Sequence, residues 1–384
     1  MIEGYDLDRD LSAIDRALNA DMPEAVIFYC GRALEVTSAR AVAALNLDPG
    51  NQVFANLDTL ERLSLIPRPA LYLGHALRRL SNDARHILRP LSAQDADFAA
   101  LCLGPWLQWY MEDYPRGPQR GTRFAIDSPL ATGSVADVLA LLRDALAADE
   151  DVSDKLIALC DDRVAQLPAL SAMAAEALIS WGQAEAALSV LTRARAQVPE
   201  DLRLSQLYAL ARRRAGHPDE AVALLKTLAS KYSEDEETLG ITAGALKSWW
   251  ESGHGPVNAL SQALTLYRKG WQVSRGRNLY CGVNAAAMLL WQGDDEAGLF
   301  ATRLTRVFDE RNAQLIKAGV DLARQRDYYD LVTEAEARLL AGQDAAARAL
   351  YQSAFTRFDS RKGDIEGTRV QANRSIALLG GESL

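Results

Sequence analysis

Gly182-Gln-Ala-Glu-Ala-Ala187 and Gly216-His-Pro-Asp-Glu-Ala221 spell one pattern twice, and the second glycine follows the first by 34 residues. The offsets continue beyond the quoted stretch. After Gly182 come Ala187, Leu191, Ala194 and Pro199, and after Gly216 come Ala221, Leu225 and Leu228. Gly342, Ala347, Tyr351 and Ala354 form a third copy, and Gly293 with Ala297 a looser fourth. Glycine frees a tight turn between antiparallel helices, and alanine lets the helices approach closely.

A period of 34 residues is that of the tetratricopeptide unit, a pair of helices. One pair cannot bury its own apolar face, so pairs must stack into a solenoid. Gly216 to Gly293 spans 77 residues, more than two periods, which places an insertion around Gly253-His-Gly-Pro256. The acidic run 234–237 reads as a helix start capped by Ser233.

Working outward, the segment 113–135 holds Pro115, Gly117, Pro118, Gly121, Pro129 and Gly133, the composition of a linker. No alternating strand pattern stands on either side of it. The fold class is therefore all-α: a helical bundle over 1–115, a linker over 116–134 and a solenoid over 135–384. Lysine is absent before Lys155, which sets the first part apart in composition. Of the 384 residues, 49% are hydrophobic and 24% charged, enough to bury a core. A net charge of −9 excludes general affinity for nucleic acid or anionic lipid, so any basic site is local.

Cys30, Cys102, Cys160 and Cys281 are scattered without C-x-x-C spacing, as expected of free thiols in a reducing cytoplasm. No secretory leader or membrane span is expected. His217 and His254 stand beside turn residues, and the phosphate-loop, dinucleotide, HExxH and nucleophile-elbow motifs are all missing. Neither a metal nor a cofactor is expected.

Three segments of the repeat region carry more than the repeat. They are 235–240 running to Lys247, Tyr280-Cys-Gly-Val-Asn-Ala-Ala286, and Asp327-Tyr-Tyr-Asp-Leu-Val-Thr-Glu-Ala-Glu336. Together, over roughly 140–360, they resemble the TRAFs-binding tetratricopeptide domain of apoptosis signal-regulating kinases and many bacterial proteins. The resemblance implies ligand sensing in nucleotide-linked conflict or defence systems. The chain departs from it at Tyr329, usually Trp, and at 243–246, usually a Gly-Arg-aromatic pattern. Tyr280 and Asn284 are four apart, and Tyr329, Thr333 and Glu336 follow i, i+4, i+7, so each set shares one helix face. With Lys247 they are the candidate ligand-binding residues, for a small nucleotide-like ligand or a protein partner. The same residues also suit a structural role, Asn284 and Glu336 satisfying buried helix ends and Tyr329 filling core.

The first part contains one charged constellation. On a helical wheel of 100° per residue, His75, Arg78, Arg79, Asn82, Arg85, His86 and Arg89 fall within about 120° of arc. Leu73, Ala76, Leu77, Leu80, Ala84, Ile87 and Leu88 lie opposite, and Pro90 ends the helix. Clustered arginines repel unless an anion offsets them, and arginine suits bidentate phosphate contacts. His86 is placed to exchange a proton with a ribose hydroxyl.

Arg32-Ala-Leu-Glu35, followed by Leu77-Arg-Arg-Leu-Ser-Asn-Asp-Ala-Arg-His86, resembles the HEPN superfamily over about 20–112. That family implies a small helical bundle that often dimerises and, in active members, cuts RNA without metal. By position, Asn82 and His86 match its Asn-x-x-x-His core and Arg78 an upstream arginine, the candidate catalytic set. Arg79, Arg85 and Arg89 would hold RNA phosphate. Active members carry Arg directly before the Asn, where this chain has Ser81. The other reading is a solvated basic face paired with carboxylates such as Asp95 and Asp97. The two functions left standing are a homodimeric sensor–effector with ribonuclease or RNA-binding output, and a non-catalytic protein scaffold.

Overall fold

The computed structural model describes residues 5–50, 52–63, 65–86, 91–121, 133–148, 150–317, 319 and 321–384, with backbone alone for 62, 68–69, 83–86, 143, 146–148 and 324–325. The described residues form helices and turns and no strand. The chain divides into two compact units, Met1–Leu146 with Lys317–Gln325, and Ala147–Ile316 with Arg326–Leu384.

The first unit contains α1 (Leu7–Asn19), α2 (Pro23–Ala43), α3 (Val53–Arg62), α4 (Arg68–His86), α5 (Ala93–Gln108) and α6 (Ser134–Ala148). Its centre is α2, against which α1, α3, α4 and α5 all pack. Two aromatic side chains there pair their buried polar atoms: the Trp106 indole donates to the Thr37 hydroxyl at 2.8 Å, and the Tyr114 hydroxyl to the Ala41 carbonyl at 2.8 Å. Asp10, 1% exposed, accepts from Tyr5 at 2.6 Å and forms an ion pair with Arg32. A π-helical turn, Trp109–Asp113, ends α5, and the start of the Pro/Gly-rich segment folds back on it, Arg120 N donating to the Met111 carbonyl at 3.0 Å. The unit boundary falls beyond this segment, and most of α6 belongs to the first unit.

The second unit opens with α7 (Ser153–Leu159) and α8 (Asp162–Ala165). Then come α9 (Pro168–Ser180) with α10 (Ala184–Gln197), α11 (Leu202–Arg214) with α12 (Pro218–Lys231), and α13 (Glu236–Glu251) with α14 (Ala259–Val273). The pairing continues with α15 (Leu279–Trp291) and α16 (Glu296–Lys317). After α17 (Leu322–Gln325), which belongs to the first unit, α18 (Tyr328–Leu340) pairs with α19 (Asp344–Arg357). The second helix of one pair packs on the first of the next, as α10 does on α11, α12 on α13 and α14 on α15. This is a tetratricopeptide-type solenoid.

The repeat pattern explains the packing. Ala187, Leu191, Ala194, Ala221, Leu225, Ala347, Tyr351 and Ala354 are all buried. Gly182, Gly216, Gly253, Gly293 and Gly342 follow the first helix of each pair with φ of +86°, +91°, +74°, +71° and +78°. That left-handed conformation ends a helix and is nearly free of strain only for glycine. Gly253 therefore divides the 77-residue span into two overlong repeats. The extra length lies partly in the 252–258 connection, where α9 and α10 are joined by three residues. The first helices of four pairs begin at Asp201, Asp235, Asn278 and Asp327, whose side chains accept backbone N–H bonds at 2.8–2.9 Å. Asp235, not Ser233, caps α13: Ser233 falls in the preceding turn, while Asp235 is extended and reaches Thr238 N.

The last described helix, α20 (Lys362–Leu379), has no partner in a pair among the described residues. It touches α9, α15 and α18, and its side chains reach α11 and α13. It therefore meets every first helix of the five pairs and lies along the inner wall they form. Its backbone comes close enough to α9 that a Cβ on Gly363 would lie 2.8 Å from Gly182 Cα and from the Ile179 carbonyl oxygen.

The turn conformation is testable without disturbing packing. A Cβ on Gly216 would meet no atom within 4 Å, so only backbone strain opposes it. Gly216→Ala is expected to lower stability by about 1 kcal/mol, read as a lower urea midpoint at unchanged slope.

Candidate functional site

Two constellations were legible in the sequence, and the structure describes them unequally. On α4, Leu73, Ala76, Leu77 and Leu80 are buried, and Arg78, Arg79 and Asn82 are part-exposed, as the wheel requires. Arg78 lies over the Phe54 ring, 5.5 Å from its centroid, and His75 stands 6.0 Å from the same ring. Burial and the neighbouring Arg79 charge both pull the Arg78 guanidinium below its ordinary value. The Arg85 and His86 side chains and all of Arg89 lie outside the described residues.

Arg32, of the early motif, points elsewhere. It pairs with Asp10 of α1 and covers the Phe28 and Tyr29 rings at 5.6 and 5.0 Å. Ser81 is 5% exposed and presses on α2, where a Cβ on Gly31 would collide with its hydroxyl. The position directly before Asn82 thus faces the core, with no room for the arginine of active HEPN members.

In the solenoid, Lys247 (α13), Asn284 (α15) and Glu336 (α18) converge on one residue of α20, Gln371. The Lys247 ammonium donates to Gln371 Oε1. Gln371 Nε2 donates to both carboxylate oxygens of Glu336 at 2.6 Å and to Asn284 Oδ1 at 3.2 Å. Asn284 Nδ2 donates to the Tyr280 carbonyl at 3.0 Å. Lys247, Asn284 and Glu336 are 7%, 3% and 8% exposed. A second cluster sits two helical turns earlier. Asp364, 1% exposed, accepts from the Tyr329 hydroxyl at 2.7 Å and pairs with Arg214 at 3.2 Å. Arg214 also donates to the Gly363 carbonyl at 2.5 Å.

Tyr329 and Glu336 thus meet Asp364 and Gln371 across the same seven-residue spacing, so α18 and α20 run side by side in one direction. Beyond Gln371, Arg374 lies over the stacked rings of Trp250 and Trp291, at 4.8 and 5.0 Å, and Trp291 Nε1 donates to the Ser375 hydroxyl at 3.0 Å. Of the six sequence candidates, Lys247, Asn284, Tyr329 and Glu336 face α20. The Tyr280 ring packs instead on Tyr267, centroids 6.0 Å apart, and Thr333 is half-buried. Arg214, Asp364, Gln371, Arg374, Trp250 and Trp291 were not singled out from the sequence. For the three on α20 the only signal is a stripe, Asp364, Gly367, Gln371 and Arg374, at helical spacing.

Burial dominates the electrostatics. It pushes Glu336 from about 4.5 up to about 7, against the opposing effects of Gln371 and Lys247. It also lowers Lys247, helped by the Arg213 and Arg214 charges and opposed by Glu251 and Glu336. A carboxyl raised in the folded chain holds its proton more tightly there than when unfolded. Its stabilising contribution is therefore present below about pH 4.5 and lost as pH rises through about 7. Glu336→Gln should remove this dependence. Urea unfolding across about pH 5–8 is expected to show the parent losing stability relative to the variant, by on the order of 1–3 kcal/mol.

The profile of the Tetratricopeptide Repeats-Sensor family matches residues 183–289, from the start of α10 into α15. No curated protein matches the chain. Among solved structures, a thermophilic TPR protein of Thermus thermophilus is 17% identical to it. That alignment covers 53% of this chain and 95% of the other, with a TM-score of 0.38.

Proposed function

We propose that the chain is a sensor–effector protein of a bacterial conflict or stress system, its solenoid reading a small polar, nucleotide-like ligand. The observation that carries this is the buried polar cluster of Lys247, Asn284, Glu336 and Gln371 on the inner wall. Apolar side chains of similar volume would join the same helices with less desolvation, so charges kept there point to recognition. The match of a sensor-type repeat family over α10–α15 supports the same reading.

The test begins with the protein as purified from its expressing cells. A raised 260/280 absorbance ratio, lost in Lys247→Ala and in Arg214→Ala at unchanged helicity, is the expected result. A clean protein spectrum, with no saturable binding of a ribonucleotide panel, would leave the solenoid as a protein scaffold.

The output of the first unit is metal-independent RNA cleavage by a homodimer, with His86, Asn82 and Arg78 as the catalytic set of each protomer and Arg79, Arg85 and Arg89 on phosphate. Its support is the resemblance over 77–86 and the amphipathic form of α4. One histidine supplies a base, and a second copy of α4 supplies the acid that protonates the leaving oxygen. His86→Ala should reduce turnover of a labelled RNA in metal-free buffer by on the order of 10²–10⁴ with the fold intact. Equal turnover in parent and variant would restrict this unit to binding.

A further inference from the structure

α20 differs from the helices it covers. In α15 every residue from Cys281 to Leu289 is buried, whereas α20 buries Asp364, Ala372, Ser375 and Ile376, two of them polar. Its apolar attachment is Ala372 and Ile376 against the last helix pair, with Ile365 partly buried beside them. Besides the Gly363 backbone against α9 and the Arg369 and Arg374 guanidinium groups over aromatic rings, many of its contacts are polar: Asp364 to Arg214 and Tyr329, Thr368 to Tyr328 at 2.7 Å, Gln371 to Lys247, Asn284 and Glu336, and Ser375 to Trp291. Each such contact exchanges a protein partner for water, which apolar burial cannot do. Gly363 and Gly367 weaken the helix from within, yet Gly363 is needed where the helix lies, and Gly367 leaves room for Arg214. A Cβ on Gly363 would meet α9 backbone, and one on Gly367 would come 2.8 Å from the Arg214 guanidinium.

The partners of α20 are also the residues that make a site. Arg214 and Tyr329 hold a carboxylate, Lys247, Asn284 and Glu336 hold a primary amide, and the Trp250–Trp291 pair holds a planar cation. The two polar positions lie seven residues apart along α20, about 10 Å at helical rise.

We propose that α20 is a displaceable internal ligand of the solenoid. It fills the groove in the resting chain, and the sensed molecule takes its place by presenting an anionic group to Arg214 and Tyr329 and an amide-like edge to Lys247, Asn284 and Glu336. This rests on the sensor reading above, which it deepens by naming the competitor and the ligand's chemistry. In such a device binding must compete with the closed form, so the apparent affinity falls by the fraction of chains that are open.

The decisive experiment uses the full chain with no ligand, so it stands or falls apart from the search for one. Hydrogen exchange should show the amides of 366–379 opening at least tenfold more often than those at the centre of α15. Gln371→Ala combined with Arg374→Ala removes two anchors without introducing a clash. It should raise α20 exchange a further tenfold or more, leave α13 and α15 unchanged, and speed acetylation of Lys247 by a similar factor. A synthetic peptide of 361–379 added to that variant should slow Lys247 acetylation again, and the same peptide with Asp364→Asn and Gln371→Ala should not. Exchange of α20 in step with α15 in both chains, or Lys247 acetylation no faster in the variant, would overturn the proposal and make α20 a fixed part of the fold. Equal protection by the two peptides would overturn the assigned ligand chemistry.

Discussion

The first helix of every solenoid pair has a third side that neither its partner nor the next pair covers. Repetition alone cannot close that side, because each unit repeats the same omission. In this chain α20 closes it, and the consequences reach through the second unit. The inner faces of α13, α15 and α18 carry a lysine, an asparagine and a glutamate that would otherwise stand in water. Covered, they must be satisfied, and a single primary amide, Gln371, accepts from the first and donates to the other two. The raised Glu336 and lowered Lys247 follow from the same covering.

How much of this the residues declare depends on the distance over which each interaction acts. Gly182 and Gly216 stand 34 residues apart, and the offsets from each turn glycine to the small and large apolar positions after it act within one helix pair, so Gly182, Gly216 and Gly342 could be placed from those offsets. Helix faces were equally legible: Tyr329 and Glu336 do face one way on α18, and Leu73 to Leu80 are buried on α4 at the apolar positions of the wheel. What occupies that face of α18 was not legible. Gln371 lies 124 residues from Lys247 and 87 from Asn284, on a helix that carries no repeat signal. The cap of α13 falls two residues beyond the expected one because Ser233 and Asp235 are both competent caps, and only the turn geometry decides between them.

The first unit makes a related point about wheels. Ser81 sits at about 300° on the wheel that places Arg78 at zero, beside the apolar arc. The wheel records the side but not the neighbour. Gly31 on α2 brings the two backbones close, and that proximity, rather than polarity, decides what position 81 can hold.

The Gly182–Gly363 contact joins residues 181 apart, which has a meaning for how the chain is made. At a synthesis rate of about 5–20 residues per second, the wall of α9 precedes its cover by roughly 10–40 s. From its own synthesis until α20 follows, each of Lys247, Trp291 and Glu336 on the nascent solenoid is offered to its surroundings, with Glu336 ionising as a solvated carboxylate does. A groove that ends up filled is therefore born vacant, and each newly made molecule passes once through the form that a ligand would have to recreate.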